Sequence, residues 1–141
     1  MSCCVVDTIK PSSGSCLPWA GSASFGAAVG FVVWSLTVWA RAYCDAGFDA
    51  GGRFELNLLL LPVVGAEACV GLVAHAAGRR LALRAPTAVR ALLPALLVVG
   101  TTVWAAWWFF ATRGTLDGYP GDSGLCPASN VPPQWPDWIP A

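Results

Sequence analysis

Residues Leu56–Ala77 read LNLLLLPVVGAEACVGLVAHAA. The run is long, almost wholly apolar, and shows none of the alternation of a half-buried strand. At about 1.5 Å per residue a helix of this length covers the ~30 Å hydrocarbon core of a bilayer. Two more runs of the same kind flank it: SFGAAVGFVVWSLTVWARA from Ser24 to Ala42, and ALLPALLVVGTTVWAAWWFFAT from Ala91 to Thr112. The expected fold is therefore an all-α membrane protein, a bundle of three transmembrane helices. Its spans cover about 24–42, 56–77 and 91–112. Residues 1–23 read as a disordered arm, and residues 113–141 as an irregular tail rich in proline and tryptophan.

Composition agrees. Of 141 residues 56% are hydrophobic and 11% are charged, against about 25% charged in a soluble domain. Mean hydropathy is +0.60. Net charge is zero, which speaks against phosphate-neutralising contacts and so against nucleic acid as a partner. Eight tryptophans suit a protein whose indoles anchor at the headgroup level. Trp104, Trp107 and Trp108 form such a belt near one end of the third span.

Charge gives an expected orientation. Between the second and third spans stand Arg79, Arg80, Arg84 and Arg90, with no acid among them. The positive-inside rule makes that segment cytoplasmic, the N-terminus cytoplasmic and the tail extracytoplasmic, in a multi-pass plasma-membrane protein. Arg41 and Arg113, at span ends, are expected to snorkel. Ala40-Arg41-Ala42 resembles a signal-peptidase site, but the long polar stretch before the first run and its two tryptophans favour a retained span.

The six cysteines divide by side. Cys44 and Cys126 are the two on the tail side, where an oxidising compartment would join them. Cys3, Cys4 and Cys16 lack zinc-site spacing, so no metal is expected. Cys69 reads as a small packing residue.

Glu67 is the exception inside the second span. A carboxyl at mid-bilayer must face protein or water, or be neutral. Gly71, Ala74 and Gly78 follow it at helical spacing, a stripe of small residues that lets another helix approach. Ser22, Gly26 and Gly30 make a matching seam on the first span. Thr101 and Thr102 on the third span lie at similar depth, and Ser35 and Thr37 on the first lie somewhat outward of its middle, so these hydroxyls are expected to bond a protonated Glu67. His75 reads as an interfacial residue near the cytoplasmic end.

The whole chain, and its ending GDSGLCPASNVPPQWPDWIPA in particular, resembles the small, uncharacterised multi-span membrane proteins common in high-GC actinobacteria. That resemblance implies a membrane location and supplies no function, substrate or site. No P-loop, nucleophile elbow, zinc-protease or dinucleotide motif occurs, so neither catalysis nor a cofactor is expected. The expected role is an accessory or structural subunit of a membrane complex, through a membrane-protein partner or self-association. The alternative is a small oligomeric transporter or channel that uses Glu67.

Overall fold

A computed structural model of the chain describes residues 17–116 and 118–136. Three helices in sequence make up the fold, α1 (Leu17–Cys44), α2 (Ala50–Leu81) and α3 (Thr87–Arg113), and no strand occurs among the described residues. Each helix is long and apolar enough to cross a membrane. Their 28, 32 and 27 residues correspond to about 42, 48 and 40 Å, enough for the hydrocarbon and much of both headgroup layers.

The helices therefore overrun the expected spans at both ends. Residues 17–23 are helical and not part of an irregular arm; residues 1–16 lie outside the described chain. An apolar window stops at the first charges, whereas a helix stops where its backbone groups find other partners. Asp49 supplies such a stop: its carboxylate accepts the Gly52 N–H at 2.7 Å and caps α2. Only residues 45–49 and 82–86 remain as linkers. Arg79 and Arg80 consequently occupy the last turn of α2, where they complement the helix dipole, and Arg90 falls in the first turn of α3. The earlier start of α2 also moves Pro62 well past its second turn, into the helix interior.

The outside of the bundle is greasier than its inside. Only 17–28% of each apolar window is buried within the protein. Leu17, Leu61, Val73, Leu96, Val103 and Trp104 are all turned outward. Water does not tolerate a continuous apolar surface of this extent, while lipid tails solvate it. The protein is built as a multi-pass membrane protein.

What draws the helices together is small-residue packing. A Cβ on Gly26 would fall on the Glu67 carbonyl group, and one on Gly71 would lie 2.5 Å from the Ser22 carbonyl oxygen. Gly30 lies against Glu67 and Val64 in the same way. So α1 and α2 touch backbone to backbone along Ser22, Gly26 and Gly30, as the spacing predicts. Ala74 is buried on the same stripe. Gly78 serves the other neighbour: a Cβ there would meet Pro94 Cα at 2.5 Å, so α3 crosses α2 at that point. The third layer of contact is a compact core of Val33, Ala40, Val63, Ala106 and Phe110. The Trp34 indole N–H donates to the Leu56 carbonyl at 2.8 Å and pins α1 to the first part of α2.

The tail is folded back and not loose. Cys44 and Cys126 form the predicted disulfide. Two helices separate them, so the chain returns to the end of the bundle it left. Asp122 and Ser123 donate backbone N–H bonds to the Asp45 and Cys44 carbonyls, both at 3.2 Å. Gly121 makes this possible: its φ is +77°, and a side chain there would run into the Cys44 carbonyl group. Further on, Trp135 stacks between Trp39 of α1 and Phe110 of α3, with ring centroids 5.1 and 5.3 Å away.

Candidate functional site

Glu67 is 5% exposed and sits where the α1–α2 seam meets a groove on the α3 side. The groove has a volume of about 290 Å³ and is walled by Ala66, Val70, Ala105, Trp108 and Phe109. Alanines on both walls keep it open, and the large rings of α3 form its rim. The carboxyl oxygen Oε2 is buried and has no hydrogen-bond partner among the described residues.

The expected polar cluster around Glu67 is not formed. Ser35 donates to the Phe31 carbonyl at 2.8 Å, Thr101 to Leu97 at 2.7 Å and Thr102 to Val98 at 2.8 Å. Each hydroxyl is spent on the carbonyl one turn back, the usual resort of Ser and Thr in a helix with no water to bond. Similar depth in the membrane was a necessary condition for contact and not a sufficient one. Facing matters as much. Adjacent residues lie 100° apart on a helix, so Thr102 points inward and is fully buried while Thr101 is only half-buried. On α1 the fully buried hydroxyl belongs to Thr37, two positions after Ser35, and its Oγ1 has no partner.

His75 departs from its interfacial reading too. It is 9% exposed; its Nδ1 lies 2.9 Å from the Ser22 hydroxyl, and Trp19 packs on the ring at a centroid distance of 5.0 Å. Its Nε2 is buried without a partner among the described residues. Cys69, expected to be a packing residue, faces outward. Arg79, Arg80, Arg84 and Arg90 are all exposed at the α2–α3 turn.

At the disulfide end stand Arg41 of α1, Arg53 and Glu55 of α2, and Arg113 of α3. Arg113 donates to Glu55 at 3.2 Å, and both are about half exposed, so this pair adds little stability. Arg41 is different. It does not snorkel; it is 7% exposed, and its Nε has no partner among the described residues. In the tail Asn130 has φ +58° and no exposure, and its side-chain amide is likewise without a partner among the described residues. The Cys44 sulfur lies 3.5 Å from the Asn130 carbonyl oxygen. A bridged sulfur carries no proton, so this is a packing contact and not a hydrogen bond. Tyr119 donates to Asp122 at 2.8 Å, and that bond, more than burial, raises its phenol pKa above the ordinary 10.

No group of three or more His, Cys, Asp or Glu that could hold a metal occurs among the described residues. No family model, curated protein or solved structure matches the chain.

Proposed function

We propose that the chain is an accessory or structural subunit of a plasma-membrane complex, docking another span in the α2–α3 groove over Glu67. One observation carries this reading: Glu67, whose buried carboxyl oxygen has no partner among the described residues, lines a groove on the outside of the bundle. Leaving such a group unpaired in a low-dielectric setting costs on the order of 1–3 kcal/mol or more. A partner helix with a hydrogen-bonding side chain at that depth would recover that free energy. Small groove walls at Ala66 and Ala105 would let its backbone come close. The arginine-bearing turn is placed in the cytoplasm and the disulfide end outside, on the charge asymmetry.

Glu67→Gln and Glu67→Leu separate the possibilities. A neutral glutamic acid and a glutamine are near-isosteres that both donate a hydrogen bond. Gln should therefore keep the partner, and Leu should lose about tenfold or more of it, worth ~1.4 kcal/mol. The measurement is the amount of partner, or of second copy, that copurifies with a tagged chain from its native membrane. Full retention with Leu would sink the reading. Loss with Gln as well would mean an ionised Glu67 paired with a cationic span.

The transporter alternative is favoured by a specific observation only in an oligomeric form. Toward the disulfide end side chains of the core fill the space between the three helices, and Glu67 lines a groove on the outside of the bundle. A pathway would then run between copies. Proton or ion flux in liposomes that is abolished by Glu67→Gln, with assembly intact, would favour it.

A further inference from the structure

A second cavity lies at the other end, away from the groove over Glu67. It is a crevice of about 630 Å³ between α1 and α3, floored by α2. Its origin is geometric. Gly26 and Gly71 pull α1 onto α2, and Gly78 and Pro94 pull α3 onto α2. At this end both outer helices hug α2, and a gap remains between them. At the opposite end the disulfide and the Trp135 stack tie the tail to α1 and α3.

The gap has two chemically distinct parts. Phe25, Val98 and Val99 line an apolar stretch. Arg79 and Arg90 line the mouth, and His75 reaches in between. Arg79 follows His75 by one helical turn, so the two share a face. No Asp or Glu is among the described lining residues. The imidazole packs against Trp19, its Nδ1 meets the Ser22 hydroxyl, and Nε2 is buried without a partner among the described residues. The Ser22 hydroxyl gives its one proton to the Pro18 carbonyl at 3.0 Å, so the neutral ring donates from Nδ1 and Nε2 carries a lone pair. The imidazolium donates from both nitrogens, and that state is served by an anion.

We propose that this crevice binds the phosphate of an anionic phospholipid, with Arg79, Arg90 and His75 as donors and an acyl chain along Phe25, Val98 and Val99. Basic pockets between membrane helices bind such headgroups by charge and hydrogen bonding together. The volume lies within the ~300–1,000 Å³ range of ligand pockets. An exposed apolar wall running on from a cationic mouth matches a lipid better than a free phosphate. The inference is independent of Glu67 and of the complex proposed above.

The test is native mass spectrometry of the full chain, titrated with phosphatidylglycerol, with phosphatidylcholine of the same acyl chains, and with inorganic phosphate. One phosphatidylglycerol should be retained in preference to phosphatidylcholine. Removing both charges by Arg79→Gln with Arg90→Gln should weaken it about thirtyfold. Arg80→Gln with Arg84→Gln, which removes equal charge outside the crevice, should change it by less than about twofold. Gly21→Leu gives a second handle that leaves charge alone. A Cβ at Gly21 meets nothing, so the helix tolerates the side chain while the crevice fills, and lipid should be lost. Equal losses in the two arginine pairs would reduce the effect to diffuse surface charge and overturn the proposal. So would equal binding of phosphatidylcholine, displacement by inorganic phosphate alone, or a wild-type chain that retains no phosphatidylglycerol because residues 1–16 or a second copy cover the crevice.

Discussion

Gly26→Ala should lower stability by about 3 kcal/mol, the upper end of the range for overpacking, although it adds a single methyl group. The new carbon has no free space, because it would coincide with the Glu67 carbonyl group. A clash with a side chain can be relieved by a rotamer change. Here the obstacle is backbone inside a helix, so α1 and α2 must separate, and Gly30 and Gly71 lose contact with them. Gly65→Ala and Gly100→Ala are the matched controls, since a Cβ at either position meets nothing within 4 Å. They make the same chemical change within the same bilayer and should be neutral or slightly stabilising. Unfolding in mixed micelles with increasing dodecyl sulfate, followed by circular dichroism, measures all three. If Gly26→Ala unfolds with the two controls, the close approach of α1 and α2 is not what holds the bundle.

Breaking the Cys44–Cys126 bridge should free the tail but leave the three helices. For a loop with a sequence separation of 82, chain entropy alone would suggest more than 4 kcal/mol. That formula assumes a free coil. Two membrane crossings already return the chain to the same face, so the loop is largely closed before the bond forms, and about 2 kcal/mol is a better expectation. Hydrogen exchange should rise across residues 118–136 in Cys126→Ser, and stay low through α1, α2 and α3. Labelling of intact cells tests the sidedness proposed above. An impermeant maleimide should react at Cys44 and Cys126 only after reduction. Labelling without reductant would remove the bridge from the account. Silence after reduction would put this end in the cytoplasm.

Much of the architecture was legible in the residues. Long apolar runs without alternation mark the helices, because lipid demands that every backbone group be satisfied within its own segment. Counting crossings pairs Cys44 with Cys126. Glycines four apart mark the α1–α2 seam, since only the lack of a side chain allows that approach. What was not legible depends on facing and on tertiary partners. Thr101, Thr102 and Ser35 stand at the expected depth yet bond their own helix, and no spacing in the sequence separates these outcomes. Arg41 turns inward, and nothing in the residues around it tells it from an arginine that snorkels. The stack of Trp135 on Trp39 and Phe110 carries no local signal either. Asp49 was a findable signal: an acid followed three residues later by the N–H it caps is an ordinary helix start.

The disulfide also changes the connectivity of the molecule as an object. Covalently the chain is a macrocycle from Cys44 to Cys126 that holds α2 and α3, with α1 as a pendant branch. A single peptide-bond cut in the Ala82–Pro86 linker opens the ring without dividing the molecule, and the product keeps its mass, plus one water, until the bridge is reduced. A cut before Cys44 releases a fragment at once. Protease nicks in the two regions are therefore different events, one silent under oxidising conditions and the other a scission.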